Sequence, residues 1–577
     1  MKILPSELIH RIEQRFQRLY GEERVPRLRA RLTQLLSYYE HIEAPADPTP
    51  WSQRDAILAA FGDSVTAEDD KPLRTLGRWL DRYLDGAFSC LHLLPFHPAN
   101  PGEEYAVRDH RRVDPALGDW EDVGALARQR RLMVDLLLGR ISRDSDWFRD
   151  YVDGISPARG YFVALPPDTD VGRVESPCGT PILTCIQTRR GERHLWTSYG
   201  CDQFDLDFRN PDVLFEFIDI LLGYVDHGAR LVRLDGIAWL WKDPATCSVD
   251  LTEDHEIVKL LRDVVAIVAP GVLLAGDGEG FFGNGDECRL LYTRPLGALL
   301  VHALHSGDAG HLYRWLESLP EPPPGCGYIH QSDDADGIPL KAAGDHLPEA
   351  EFERLTAWLT ERGATITPYR RGEALRPFEA NISYFDALAD PGQPVTERHV
   401  ARFLCAQTTL MSLRGIPALY LPSLLAAPSD HRRVEATGNP RAANRRRWRW
   451  QELADLLQDP GNHETRIFRE LLRRLRLRCD HPAFHPDAPH FLLPLDGGLF
   501  GVRRTAPDGS ETLAAVSNLG HRRRSVIPGQ LIPDLPHYPV KQDLITGRRL
   551  EGHEDRPFCL QPGQCLWLSA AYPQPSP

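Results

Sequence analysis

Four acidic segments lie at the ends of apolar runs, where an α/β fold carries its reactive groups. Three of these runs lead to Asp135, Asp235 and Asp277, and a fourth segment, residues 332–337, contains Asp336. A charge within an apolar strand is costly unless it is paired or used. Two or three carboxylates facing one site provide what glycoside chemistry needs, a nucleophile and a proton donor to the leaving oxygen. For any single aspartate, an N-cap or a buried ion pair remains an alternative.

One of these segments also carries an arginine in a favourable register. Arg233 precedes Asp235 by two residues in the sequence Val-Arg-Leu-Asp-Gly-Ile. Side chains alternate along a strand, so both residues are expected on the same face. A neighbouring guanidinium keeps a carboxylate ionised. The spacing therefore predicts a charged Asp235 at a strand end.

Buried strands that alternate with amphipathic helices must position these groups. The apolar runs are residues 56–61, 91–96, 132–138, 231–237, 272–275 and 416–421. Helices are predicted at residues 212–225, 253–268 and 399–413. Six or more such units favour a (β/α)8 barrel of the TIM type, with an open doubly wound sheet as the alternative.

Changes in pattern along the chain divide it into four parts. Residues 1–50 are predicted to form an N-terminal helical extension, and residues 51–141 and 211–480 the barrel. Residues 142–210, rich in Asp, Arg, Gly and Pro, are predicted to form a lobe inserted after the third strand. Short strands separated by turn signals predict a C-terminal β-sandwich over residues 481–577.

Composition limits the classes of function. The chain has 67 Lys and Arg against 81 Asp and Glu, a net charge of −14, which argues against a nucleic-acid binder. No apolar window reaches the roughly 18 residues that a membrane helix needs, and the N-terminus lacks the apolar core of a signal peptide. The 11 cysteines form no CxxC pair. We therefore expect a cytoplasmic protein with reduced thiols, no metal site and no membrane partner.

Several motifs together resemble one known family. They are Leu-His-Leu-Leu-Pro-Phe-His at 91–97, Val-Arg-Leu-Asp-Gly-Ile at 232–237, Ser-Tyr-Phe-Asp-Ala-Leu at 383–388 and Ser-Leu-Arg-Gly-Ile-Pro-Ala at 412–418. The chain resembles glycoside hydrolase family 13, and within it the sucrose phosphorylase and glucosylglycerate phosphorylase branch. The resemblance extends over nearly the whole chain.

The resemblance implies a retaining α-glucosyl transfer in carbohydrate metabolism, with a sugar and inorganic phosphate as substrates and no cofactor. Asp235 matches the family nucleophile, and Arg233 matches the arginine that keeps it ionised. Asp336 matches the carboxylate that steadies the oxocarbenium-like transition state.

Four further positions are expected to bind substrate. Tyr105 matches an aromatic residue that stacks on the glucosyl ring, and Asp109 and Asp135 lie in matched sugar-pocket motifs. Arg445 is the candidate for holding phosphate, because guanidinium groups bind phosphate oxygens well.

The sequence departs from the family pattern where the acid/base is expected. The family has a Glu at the end of the fifth strand, but this chain has Asp277 there and Glu279 two residues later, and either is a candidate proton donor. Two family histidines are replaced by Arg140 and Ala335. Either the pocket serves another sugar or acceptor, or the protein is a catalytically impaired carbohydrate-binding or regulatory member. An α-glucosidase or transglucosidase is a third alternative.

Overall fold

Eight parallel strands close a barrel at the centre of the chain. The computed structural model describes residues 6–43, 51–84, 86–277, 280–371, 374–550 and 555–572. The barrel strands are β1 (Ile57–Ala60), β2 (Cys90–Leu93), β3 (Arg131–Leu137), β4 (Ala229–Asp235), β5 (Leu273–Asp277), β6 (Leu290–Thr293), β7 (Gly327–His330) and β8 (Ile416–Tyr420). Because β1 pairs with both β2 and β8, the sheet has no free edge, and the predicted barrel is confirmed.

Strand alternation gives the barrel interior two zones. Toward the N-terminal ends of the strands, the inward side chains are apolar and buried, among them Met133 and Leu231. Two residues further along the same strands, Asp135 and Arg233 take the inward positions. The lower half of the barrel is therefore an apolar plug, and the charged groups are gathered at the carboxyl end of the sheet.

Helices cover the outside of the barrel. The longer helices are Pro72–Tyr83, Trp120–Gln129, Pro211–Asp226, Thr252–Val268, Leu296–Ser306, Gly310–Ser318, Glu349–Glu361, Glu397–Ser412, Trp450–Gln458 and His463–Cys479. Shorter helices are Lys341–Gly344, Tyr384–Ala387, Leu421–Leu424 and His431–Thr437. The three helices predicted from the sequence are present within two residues of their expected bounds. None of the helices in the described ranges is long and apolar enough to cross a membrane.

Two N-terminal helices, Ser6–Tyr20 and Val25–Tyr38, precede the barrel. The first packs on helix Thr252–Val268, and buried charged groups contribute to the contact. Arg15, which is buried, donates to Asp263 at 3.0 Å and to Glu256 at 3.2 Å. This contact ties the extension to the helix that follows β4.

The segment between β3 and β4 forms two small sheets, and its strand Glu175–Ser176 joins a four-stranded sheet by pairing with strand Thr365–Arg371. Its elements are helix Asp146–Asp153 and the strands Arg140–Ser142, Ala164–Leu165, Glu175–Ser176, Leu183–Thr188, Gly191–Trp196 and Gln203–Asp205. Further strands outside the barrel are Val65–Thr66, Ala99–Asn100, Glu103–Val107, Ile338–Pro339, Thr365–Arg371, Ala374–Asn381 and Trp448–Arg449.

The C-terminal part is antiparallel. A five-stranded sheet contains the strands His490–Leu492, Leu499–Thr505, Glu511–Asn518, Val540–Asp543 and Cys565–Ala571. A two-stranded sheet pairs Arg524–Val526 with Phe558–Leu560, and the short helix Pro528–Leu531 lies between them in sequence.

Candidate active site

A cavity of about 830 Å³ opens at the carboxyl end of the barrel. Its wall includes Asp235 from β4, Asp277 from β5 and Asp336 from the loop after β7. The prediction that acidic residues at successive strand ends share one site is therefore correct for these three residues. Tyr105, on strand Glu103–Val107, also lines the cavity.

Arg233 connects the carboxylates of three neighbouring strands. Its Nη1 donates to Asp135 at 3.0 Å, and its Nη2 donates to Asp235 at 3.2 Å and to Asp277 at 2.7 Å. Asp135 also contacts His92 Nε2 at 2.9 Å and is buried behind Arg233. Asp135 therefore orients Arg233 and does not line the cavity, and its predicted role in substrate binding stays a prediction.

The second carboxylate oxygen of Asp235 contacts Arg140, which stands where the family has a histidine. Arg140 Nη2 lies 2.9 Å from Asp235 Oδ2, and Arg140 Nε donates to Gln203 Oε1 at 3.1 Å. The guanidinium carbon lies 3.7 Å from the ring centroid of Tyr199. Arg140 Nη1 is buried and has no hydrogen-bond partner among the described residues. Arg140 therefore contacts Asp235 from the cavity wall.

Asp277 is held between two guanidinium groups. Arg233 Nη2 lies 2.7 Å and Arg294 Nη2 2.5 Å from its Oδ2. Burial alone would raise the pKa of Asp277, but the two arginines outweigh burial and hold that pKa well below its usual value. A carboxylate that stays ionised has no proton to give, so we do not assign the predicted proton-donor role to Asp277. Glu279 lies outside the described residues, and its role stays a prediction.

Asp336 is oriented by its turn and by Arg445. Asp336 N donates to Asp334 Oδ1 at 2.9 Å, and Arg445 Nη2 donates to Asp336 Oδ1 at 2.6 Å. Burial raises the pKa of Asp336, but Arg441 and Arg445 more than offset this effect and lower it. The group is therefore a fixed negative charge on the cavity wall, as the transition-state role requires.

Arg445 is not placed as predicted. Its Nη1 donates to Glu104, its Nη2 to Asp336 and its Nε to the Ala335 carbonyl, and its side chain is 2% exposed. The hydrogen-bond donors on all three nitrogens face the protein, so Arg445 supports Asp336 from behind the wall instead of binding phosphate.

Asp109 lies away from the cavity. Its Oδ1 accepts a hydrogen bond from the Arg111 backbone at 2.8 Å, and the residue lines a separate surface depression with Arg108 and Arg143. Asp109 therefore does not line the cavity, and its predicted contact with the sugar stays a prediction.

The turn after Asp336 brings a further carboxyl group to the cavity. Gly337 has φ +119°, and a Cβ there would lie 2.1 Å from the Ala380 carbonyl oxygen. This close approach seats the turn on strand Ala374–Asn381, and Asn381 Nδ2 donates to the Asp336 carbonyl at 2.7 Å. Glu379, on the same strand, lines the cavity.

Glu379 has one occupied oxygen and one oxygen that accepts no hydrogen bond within the described ranges. Arg441 Nε at 2.8 Å and Asn381 Nδ2 at 3.1 Å both donate to Oε1. Burial raises the pKa of Glu379 to about 7, although the nearby Arg441 opposes the shift. The sequence analysis did not include Glu379, although it precedes the matched motif at 383–388 by only a few residues.

One group of side chains in the described residues could hold a metal ion. Cys185, Glu192 and His194 offer ligand atoms within 4.8 Å of one another. They lie on the paired strands Leu183–Thr188 and Gly191–Trp196 of the inserted segment, and none of them lines the cavity.

Comparison with known proteins identifies the family. Residues 82–281 match the family described as alpha amylase, catalytic domain. Glucosylglycerate phosphorylase of Allomeiothermus silvanus is 36% identical over 577 residues, covering 98% of this chain and 100% of the relative. The chain belongs to the α-amylase family, in the branch of the glucosylglycerate phosphorylases.

Two further comparisons agree with this family. Glucosylglycerate phosphorylase of Escherichia coli is 32% identical over 90% of this chain and 92% of the relative. The crystal structure of sucrose 6F-phosphate phosphorylase from Thermoanaerobacter thermosaccharolyticum superposes with a TM-score of 0.71 at 20% identity, covering 83% of this chain and 96% of that chain. At that identity, the structural match supports the fold alone.

Proposed function

We propose that this protein is a glycoside phosphorylase that moves an α-glucosyl group between an acceptor oxygen and inorganic phosphate with retention of configuration. The observation that carries the proposal is Asp235 at the end of β4, lining the cavity with Arg233 Nη2 at 3.2 Å. The relatives that are at least 30% identical support it, because they are named glucosylglycerate phosphorylases. Glycerate is therefore the first acceptor to test.

Each cavity group has a role in this reaction. The Asp235 carboxylate attacks the anomeric carbon, which bonds to its oxygen as the leaving oxygen departs. Asp336 stabilises the positive charge that develops on the sugar ring, and Tyr105 offers an aromatic face to the ring. Asp277 balances the charges of Arg233 and Arg294.

Phosphate needs a cationic donor beside the glycosyl-enzyme bond. Arg140 meets this need, because it contacts Asp235, lines the cavity and has a buried Nη1 without a partner in the described part of the chain. In the second half of the reaction, a phosphate oxygen bonds to the anomeric carbon and the Asp235 carboxylate is released. We assign the phosphate contact to Arg140 in place of Arg445.

The test follows the release of phosphate from α-glucose 1-phosphate by phosphorus NMR. Purified protein is incubated with glycerate, fructose, glycerol or no acceptor, and Asp235→Asn provides the control. We expect release that depends on an acceptor and falls by roughly four orders of magnitude in the variant. Release that is equal without acceptor identifies a hydrolase, release that depends on fructose or glycerol identifies a phosphorylase with another acceptor, and glucosyl exchange between two glucosides without phosphate identifies a transglucosidase.

A second candidate function is sugar binding without turnover. Two observations favour it: both oxygens of Asp235 are in ion pairs, and Asp277 is held ionised. In this case calorimetry detects binding of glucose or glucosylglycerate, while α-glucosyl fluoride, which needs no acid assistance, is not consumed above the buffer rate.

A further inference from the structure

Glucosyl transfer from an ordinary glucoside requires a proton for the leaving oxygen. An alkoxide is a poor leaving group, and general acid catalysis of its departure contributes roughly a hundred- to ten-thousandfold in rate. Asp277, at the end of β5, is held as a carboxylate by Arg233 and Arg294. The donor must therefore be another acidic group that reaches the same cavity.

Three other carboxyl groups of the cavity wall already have other partners or another role. Asp235 is the nucleophile, Asp336 accepts from Arg445 at 2.6 Å, and Asp334 accepts from Arg294 at 2.6 Å. Glu379 differs from them, because both of its hydrogen-bond donors share Oε1. Its Oε2 is thus the oxygen on which a proton is held and from which it is passed.

We propose that Glu379 is the proton donor and acceptor of the reaction, which rests on the proposed phosphorylase function. As Asp235 bonds to the anomeric carbon, the bond from that carbon to the leaving oxygen breaks, and the Glu379 proton passes to that oxygen. Glu379 is then a carboxylate. When a phosphate oxygen bonds to the anomeric carbon and Asp235 leaves, Glu379 takes the proton of hydrogen phosphate and returns to its starting form.

The surroundings of Glu379 suit both protonation states. Burial favours the neutral acid, and so do the negative charges of Asp336 and Asp334. Arg441 opposes them and stabilises the carboxylate that forms after the proton leaves. The resulting pKa of about 7 lets the group exchange a proton near neutral pH.

Strand Ala374–Asn381 fixes this group relative to the transition-state site. Arg441 donates to Glu379 and also lies 3.7 Å from Asp336, and Asn381 Nδ2 contacts both Glu379 and the Asp336 backbone. The close approach of Gly337 to Ala380 leaves little room for the two segments to separate. The donor is thus rigidly held, as general acid catalysis requires.

The test compares two donors that differ in their need for a proton. Glucosylglycerate has an alkoxide leaving group, whereas α-glucosyl fluoride releases fluoride without acid assistance. We expect Glu379→Gln to lower kcat for glucosylglycerate at least about a hundredfold and to leave the first half-reaction with α-glucosyl fluoride, measured as the initial burst of fluoride release, within about threefold of wild type. The second half-reaction with phosphate is slowed in the variant, and azide, an acceptor that needs no base, is expected to accelerate it and to give glucosyl azide.

The pH profile separates proton donation from a structural role. For wild type, kcat on glucosylglycerate is expected to fall as the pH rises above about 7, because Glu379 loses its proton. The fluoride reaction lacks this alkaline limb, and so does the residual glucosylglycerate reaction of Glu379→Gln. A variant that merely folded poorly would lose both substrates together.

Controls distinguish the failure of this proposal from failure of the proposed function. Asp235→Asn removes turnover of both donors, and Glu397→Gln, a side chain 76% exposed on helix Glu397–Ser412, tests a remote charge change. Wild type that consumes neither donor overturns the phosphorylase function and this assignment with it. Wild type that consumes both, with Glu379→Gln unchanged, overturns the assignment alone, as does finding the donor signature in Glu279→Gln instead.

Discussion

At the scale of single residues, the site differs from what its sequence motifs predict because arginines form ion pairs with the carboxylates of the site. Asp277 is located where the motif predicts, yet Arg294 makes it an ion-pair partner and not an acid. Arg140 replaces a histidine and becomes a contact of Asp235. The sequence predicts the strand that carries each side chain. It does not predict which neighbouring group sets the protonation state of that side chain, since the neighbour belongs to another strand.

Asp277→Asn should make the protein less stable by an amount that depends on pH. Removing one partner from a buried ion-pair cluster costs about 3 kcal/mol at neutral pH. Because the pKa of Asp277 is lowered by folding, its contribution to the free energy of unfolding is present above about pH 4 and is lost as the pH falls through the folded-state pKa. Urea unfolding should therefore show a difference in the free energy of unfolding between wild type and the variant that becomes smaller below pH 4. Asp496→Asn, an exposed aspartate, is the control; a gap that is constant with pH contradicts the ion-pair account.

Arg140→Gln should weaken phosphate binding more than sugar binding. A charge-assisted hydrogen bond contributes about 1.5–3 kcal/mol, which is roughly a ten- to hundredfold change in the KM for phosphate. Steady-state kinetics with phosphate and glucosylglycerate varied in turn measure both values. Arg445→Lys, which changes the group behind Asp336, should act mainly on kcat. An unchanged KM for phosphate in Arg140→Gln would contradict the assignment of the phosphate contact to Arg140.

At the scale of elements, six of the eight barrel strands could be read from apolar runs. The two that are not predicted, β6 and β7, have the sequences Leu-Leu-Tyr-Thr and Gly-Tyr-Ile-His, in which polar residues interrupt the apolar run. Because β6 is not predicted from the sequence, Arg294, which directly follows its last residue, is not predicted as a site residue. Strand Ala374–Asn381 is not predicted either, because it lies in a sheet outside the barrel and its first five residues are exposed or only partly buried. Short strands whose neighbours are distant in sequence leave weak local signals.

Gly337→Ala should separate the Asp336 turn from strand Ala374–Asn381. The new Cβ would meet the Ala380 carbonyl oxygen at 2.1 Å, in a backbone conformation that alanine already disfavours. We expect a loss of about 3 kcal/mol in the free energy of unfolding and at least a tenfold lower kcat. Gly509→Ala is the matched control, because Gly509 also has positive φ but no atom within 4 Å of an added Cβ. Equal losses in the two variants would contradict a role for the close contact.

At the scale of the whole molecule, the N-terminal helices add a layer that packs on an outer helix of the barrel. The sequence predicted the two N-terminal helices from their spacing, and they are present. It did not predict that the first helix binds through a buried cluster of charges on helix Thr252–Val268. These ion pairs depend on which helix surfaces pack against each other. Amphipathic spacing predicts that a helix has an apolar face, but it does not predict its partner.

Arg15→Ala should destabilise the protein without changing substrate affinity. Asp263 and Glu256 are buried, and they would retain only the partly exposed Arg11 and Arg18 as partners. We expect a loss of about 2–3 kcal/mol and a lower melting temperature, measured by calorimetry, with KM unchanged. Arg29→Ala removes an exposed pair and should cost at most about 1 kcal/mol. A change in KM in Arg15→Ala would show that the helix also supports the cavity.

The seam between β1 and β8 has a consequence for how the protein is made. Ile57 pairs with Ala418, so the barrel can close only after most of the chain has been synthesised. The cavity wall likewise combines Tyr105 with Arg441, from opposite ends of the barrel sequence. Contacts between such distant positions form slowly, because a long loop must be ordered first. A nascent chain therefore has no sugar site until its last barrel strand docks, and ligand protection against proteolysis during synthesis would report the moment of closure.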